Sequence, residues 1–272
     1  MLTKRHNQLP APATGSTALV TGASSGIGVE IARSLARRGH NVTLVARREE
    51  RLQRLASELR SDHGVDVQVI ACDVADGDSR ARLFAELDRL GLTVEILVNN
   101  AGYGTGGRFH TLALERELAM VRLNSEAVVA LCGTFVPAMV ARGRGAVLNV
   151  ASTIGFQPVV NEATYGATKA FALSFTEALH GELRGTGVTV TALCPGPVKT
   201  EFMDDPGVQE GASTLPAAMW VDASVVGERG VRALERGRRT VVPGSLNRIG
   251  TFAGRHANRG LLLWTARRLA TA

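Results

Sequence analysis

The chain has 272 residues, 45% of them hydrophobic and 21% charged, with a formal net charge of +6. That is enough apolar material to fill the core of a large α/β domain, and it excludes an intrinsically disordered polymer. The three cysteines, Cys72, Cys132 and Cys194, are odd in number, far apart and set among apolar neighbours, so buried thiols are expected rather than a disulfide framework or a metal site.

The opening stretch, MLTKRHNQLPAPATGS, carries basic residues but no apolar run of signal-peptide length, and no later stretch offers about 18 uncharged apolar residues. A soluble cytoplasmic protein with a flexible leader over 1–14 is the expectation. Short β-rich runs then alternate with helical patterns. Strands are predicted at 17–22, 41–46, 66–74, 94–100, 145–152, 188–195 and 239–244, with helices after each of the first five, notably near 78–90, 112–142 and 162–184. The strand runs are almost wholly apolar, as required when both faces of a sheet are covered. Alternation of this kind predicts a Rossmann-type, doubly wound parallel sheet of about seven strands with helices on both faces. With no linker or internal repeat, residues 15–244 read as a single domain and 245–272 as its basic C-terminal extension. Ligand sites are expected at the carboxyl ends of the strands.

The first strand runs into TGASSGIG, where Gly22, Gly26 and Gly28 separate strand from helix. Glycine suits a backbone that turns sharply and approaches a ligand closely, and the helix start offers free N–H groups to a pyrophosphate. The spacing Gly-x-x-x-Gly-x-Gly differs from the commoner Gly-x-Gly-x-x-Gly, but its position between strand and helix marks a dinucleotide loop. At the end of the second strand an NAD site places an acid; here Arg47 and Arg48 follow Ala46. A guanidinium holds a 2′-phosphate where a carboxylate would repel it, which predicts NADP(H). Glu49 and Glu50 fit the first turn of the next helix.

TYGATKA, residues 164–170, sets Tyr165 and Lys169 four apart, on one face of a helix. A phenol near pH 10 is a poor acid or base at neutrality, and a neighbouring ammonium favours its ionised form. Alone, the pair reads equally as two unrelated residues on a solvated face.

Four signals in order, TGASSGIG, NNAG at 99–102, a serine in NVASTIG at 152 and YGATK at 165–169, closely resemble the short-chain dehydrogenase/reductase family of NAD(P)-dependent oxidoreductases over roughly residues 15–200. The resemblance implies that Asn124 holds a water in a proton relay, that Ser152 hydrogen-bonds the substrate oxygen, and that Tyr165 is the general acid or base. Lys169 would bind the nicotinamide ribose and lower the phenol pKa. It further implies that Asp73 meets the adenine ring and that Asn99 with the NNAG backbone stabilises the sheet beside the cofactor. Pro195 and Gly196 would lead the loop over the nicotinamide, and Thr200 would contact its carboxamide. Ser24, Ser25, Ile27, Val74, Asn100, Ala101, Gly102 and Val198 complete the implied cofactor contacts. Family members are commonly dimers or tetramers, so a homo-oligomer is expected.

Substrate choice belongs to loops above the strand ends. The candidate liners Tyr103, Ile154, Phe156, Gln157, Phe202, Met203 and Trp220 are largely apolar, which points to a small hydrophobic carbonyl or alcohol. From Val231 to Ala272 nine arginines face one acid, Glu235, leaving +8 there and −2 on the rest of the chain. No nucleic-acid module or aromatic stacking platform accompanies them, so no nucleic-acid partner is expected. The stretch 260–270, with leucines and a tryptophan beside arginines, reads as a helix packed on its own chain or a neighbour, ahead of peripheral membrane contact. The competing class is a non-catalytic NADP(H)-binding sensor or scaffold, against which the complete proton-relay set argues.

Overall fold

The computed structural model describes residues 9–213, 215–260 and 262–264. Strands β1 (Ser16–Thr21), β2 (Val42–Ala46), β3 (Val67–Ala71), β4 (Thr93–Asn99), β5 (Gly145–Val150), β6 (Val188–Leu193) and β7 (Thr240–Val241) form one sheet in the order β3-β2-β1-β4-β5-β6-β7. Every pairing is parallel. The chain winds outward from β1 to β3 and then returns to add β4 on the other side. Adjacent crossovers therefore diverge between β1 and β4, opening a crevice at their carboxyl ends.

Helices α1 (Gly26–Ala36), α2 (Glu49–His63) and α8 (Ala223–Glu235) cover one face, and α3 (Gly77–Arg89), α5 (Ala127–Ala141) and α6 (Ala163–Glu182) the other. The alternation of strand side chains explains why the runs are apolar throughout. Ala18, Val20, Ile96 and Val98 enter the first core with Ile31, Leu52 and Val226. Leu19, Leu97 and Val147 enter the second with Leu83, Leu131 and Met139. Leu9, within the expected leader, packs against the first core.

The predicted helix over 112–142 is divided. It consists of α4 (Leu114–Val121), a π-helical turn at Arg122–Glu126 and α5. By length and composition Leu114–Ala141 could cross a membrane, but Ala127, Leu131, Val136 and Met139 are buried in the second core. The last strand is shorter than 239–244, because Pro243 has no N–H for the ladder and Gly244 turns at φ 89°. Beyond β6 lie α7 (Pro206–Ser213), α8 and α9 (Ser245–His256), of which α9 abuts the loops after β5 and β6 through Gly254 and Asn247. The predicted stretch 260–270 falls largely outside the described residues.

Candidate active site

The glycine loop closes between β1 and α1, and its geometry requires the absence of side chains. A Cβ on Gly28 would stand 2.4 Å from the Gly22 carbonyl oxygen, and one on Gly22 would stand 2.7 Å from Asn100 Nδ2. Gly22 and Gly26 both adopt positive φ, 66° and 58°. Asn100 binds this loop to β4 by donating from Nδ2 to the carbonyls of Thr21 (3.0 Å) and Gly22 (3.2 Å), while the Asn100 and Ala101 amides donate to Thr21 Oγ1. At α1, Ser25 supplies no side-chain cap and no acid occupies the first turn. The helix therefore presents N–H groups without side-chain acceptors, the arrangement that accepts a phosphate. Ile27 packs against the first core, holding the helix down.

Arg48 lies at the start of α2, with Glu49 and Glu50 in the first turn as expected. Its guanidinium donates to Ser24 Oγ (3.2 and 3.0 Å), Ser25 Oγ (2.9 Å) and Glu201 (2.7 Å). Arg47 is exposed at the same strand end. These cationic and hydroxyl groups, the glycine cradle and the open helix start fit the phosphates of a dinucleotide. Asp73 is half-buried beyond β3, accepts a hydrogen bond from the Ala75 amide at 3.0 Å, and borders a cavity of 420 Å³ together with Ala119 and Arg122. Val74 is buried beside it, its carbonyl accepting from Arg80.

The catalytic candidates converge at the ends of β4 and β5. Ser152 follows β5 in extended backbone; its Oγ accepts from the Ile154 amide (3.2 Å) and lies 3.4 Å from the Pro195 carbonyl. Tyr165 and Lys169 are both buried on α6. Lys169 Nζ donates to the Val150 carbonyl at 2.8 Å, and burial lowers its pKa from 10.5 to about 8. Burial raises the Tyr165 phenol, opposed by the neighbouring Ser152 hydroxyl and reinforced by the Glu162 charge. The Lys169 ammonium is directed at the Val150 carbonyl and lies 5.8 Å from the Tyr165 ring centroid.

Asn124 occupies the π turn, a distortion frequent at functional sites. Its Nδ2 donates to the Tyr103 carbonyl (2.9 Å) and Thr168 Oγ1 (3.1 Å), and Oδ1 accepts from the Tyr103 amide. A Cβ on Gly102 would stand 2.9 Å from Asn124 Oδ1 and 3.6 Å from Lys169 Nζ, so these three positions adjoin. Behind them, Asn99 Nδ2 donates to Asn149 Oδ1 (2.8 Å) and Asn149 Nδ2 to Thr176 Oγ1 (2.9 Å), tying β4, β5 and α6 together. Asn149, Thr168 and Thr176 escaped the sequence reading, their only signal being polar residues in otherwise apolar elements.

Over the site, Pro195 and Gly196 lead the loop after β6. A Cβ on Gly196 would stand 2.5 Å from the buried Asn247 of α9. Val198 is buried, and Thr200, whose Oγ1 accepts from the Phe202 amide, stands above Gly26. Of the substrate candidates, Ile154 and Phe202 reach the tyrosine region. The Phe202 and Tyr165 rings are 5.4 Å apart, and Gly104 leaves room for both. Phe156 instead packs against the small core around Ala151 and Ala172. Gln157 abuts Gly254 of α9, and the Tyr103 hydroxyl donates to the Arg116 carbonyl at 2.6 Å. Met203 and Trp220 are half-buried in the segment between β6 and α8.

This arrangement has clear relatives. The short chain dehydrogenase family matches residues 16–210. A Streptomyces violaceoruber protein named as a ketoacyl reductase of the granaticin polyketide synthase is 45% identical over 198 residues, covering 72% of each chain. The NADP-dependent 3-hydroxy acid dehydrogenase YdfG of Salmonella typhi is 38% identical over 186 residues, 68% of this chain and 73% of its own. Among solved structures, a short-chain dehydrogenase from Sphingobium yanoikuyae in complex with NADPH is 33% identical and superimposes with a TM-score of 0.78, covering 91% of this chain and 94% of its own. The chain belongs to the short-chain dehydrogenase family of oxidoreductases.

Proposed function

We propose that the protein is an NADP(H)-dependent oxidoreductase that interconverts a carbonyl and a primary or secondary alcohol on a small apolar substrate, with Tyr165 as the general acid or base. The observation that carries this reading is the buried phenol of Tyr165, set beside Ser152 and walled by Phe202. Bound NADPH supplies a hydride, which leaves negative charge on the substrate oxygen and calls for a proton within hydrogen-bond reach. Ser152 orients that oxygen, Tyr165 delivers the proton, and Asn124 with Lys169 forms the polar wall through which it is replaced. In oxidation the phenol acts in the reverse sense.

The 2′-phosphate falls to Arg47, Arg48 and Ser24, and the pyrophosphate to the glycine loop and α1. The relative named as NADP-dependent and the NADPH complex support this cofactor choice. Ile154 and Phe202 favour an apolar substrate. A solved alcohol dehydrogenase from Comamonas testosteroni described as specific for bulky-bulky ketones is 31% identical, with a TM-score of 0.73. Exposed Leu118, Val121, Val129 and Phe171 on α4, α5 and α6 support homo-oligomerisation, which light scattering of purified protein measures directly.

The test is NADPH oxidation across a panel of apolar ketones and aldehydes, with Tyr165→Phe in parallel. Turnover is expected to fall by about 10³-fold or more in the variant while NADPH affinity stays close to that of the parent. Substantial residual turnover in Tyr165→Phe overturns the assignment.

A further inference from the structure

Glu201 sits directly between Thr200, at the glycine loop, and Phe202, at the catalytic tyrosine. Its carboxylate is held by two arginines of the segment after β2. One oxygen accepts from Arg48 Nη1 at 2.7 Å and the other from Arg51 Nη1. Arg48 also donates to Ser24 and Ser25, so the carboxylate shares an anion-binding cluster of two guanidiniums and two hydroxyls. These partners hold the Glu201 carboxyl down at about 2. Ser24, Arg51 and Glu201 also border an open cavity of 380 Å³ between α1 and α2.

Resting on the reading that Arg48 receives the cofactor's phosphate, we propose that Glu201 is a cofactor-selecting residue, an internal carboxylate that a ribose 2′-phosphate must displace. A guanidinium has about five N–H donors, and the bonds to Ser24, Ser25 and Glu201 engage Nε, Nη1 and both hydrogens of Nη2. Bidentate capture of a phosphate therefore requires exchange of partners. The phosphate also meets a like charge while Glu201 stays in place. A cofactor ending in a neutral 2′-hydroxyl meets neither obstacle. Glu201 thus opposes binding of NADP(H) alone.

Isothermal titration with 2′,5′-ADP and 5′-AMP tests this without involving the reaction. Glu201→Gln removes the charge at a 40% exposed side chain. The variant is expected to bind 2′,5′-ADP at least about threefold more tightly, within the range of exposed ion-pair energies, with 5′-AMP unchanged. Unchanged or weaker binding of 2′,5′-ADP, or equal tightening of both nucleotides, overturns the proposal. Arg48→Ala separates the two readings. If it leaves 2′,5′-ADP affinity intact, the phosphate assignment fails and the inference with it. If it weakens 2′,5′-ADP while Glu201→Gln changes nothing, only the role of Glu201 falls.

Discussion

Lys169 Nζ lies 5.8 Å from the centroid of the Tyr165 ring and spends a hydrogen bond on the Val150 carbonyl, with both side chains buried on one face of α6. Two ionisable groups are thus held away from water. Burial keeps the lysine pKa at about 8 against an ordinary 10.5. Its folded value lies below its unfolded one, so the folded state loses a proton that the unfolded chain keeps between pH 8 and 10.5. The lysine contribution to stability therefore rises with pH through that window. Lys169→Met should lack this dependence and be more stable than the parent at pH 7, by roughly 1–3 kcal/mol, while losing turnover. Urea melts of both proteins at pH 7 and pH 10 measure the difference, and subtraction cancels the other titrating groups.

Phe202 forms the apolar wall against Tyr165, 5.4 Å between ring centroids. Phe202→Ala should enlarge the substrate space without touching the proton donor. Small apolar ketones should lose about 10-fold or more in kcat/KM, the cost of roughly 1–3 kcal/mol of hydrophobic contact. Ketones with a bulky second substituent should lose less. Steady-state kinetics on a size-graded ketone series reads this out, and a uniform loss across the series would contradict it.

The close approach at Gly28 makes the loop intolerant of any side chain. A methyl group would fall 2.4 Å from the Gly22 carbonyl and 2.5 Å from Asn100 Nδ2. Gly28→Ala must therefore push β1 and β4 ends apart, at a cost of about 1–3 kcal/mol. Denaturant unfolding should show that loss, and fluorescence titration should show weakened binding of NADPH and NADH alike, since both share the pyrophosphate.

On the first face, α1 and α8 are joined through charges. Arg38 donates to Glu228 (2.8 and 3.0 Å) and Glu235 (2.6 Å), and Ser34 Oγ donates to Glu228 at 2.8 Å. Chiefly through Arg38, the Glu228 pKa drops from 4.5 to about 2. A depressed carboxyl contributes stability above its unfolded value and loses it as pH falls through its folded value, here between 4.5 and 2. Glu228→Gln should destabilise the protein at pH 7 by about 1 kcal/mol, allowing for solvent screening. The gap should narrow in melts recorded towards about pH 2.5, by which most of this contribution is lost.

Much of this molecule is local enough to be legible in its sequence. Seven apolar runs, the turn glycines and the four-residue spacing of Tyr165 and Lys169 are properties of short segments. They led to the strand count, the sheet type and the family likeness. The π turn around Asn124 has no such signature, since Arg122–Glu126 continues a good helical pattern and only packing against Tyr103 and Thr168 shows why it widens. Nor does composition reveal that Phe156 serves a core, that Gln157 meets α9, or that Glu201 reaches across to Arg48 and Arg51 from about 150 residues away.

Residue types and their spacing determined which chemistry the chain carries, because strand periodicity and helical pitch act over a few residues. Tertiary structure alone decided the charge states and partners of those groups. Desolvation and long-range hydrogen bonds depend on what the fold brings alongside each side chain, as the buried ammonium of Lys169 and the doubly held carboxylate of Glu201 both demonstrate.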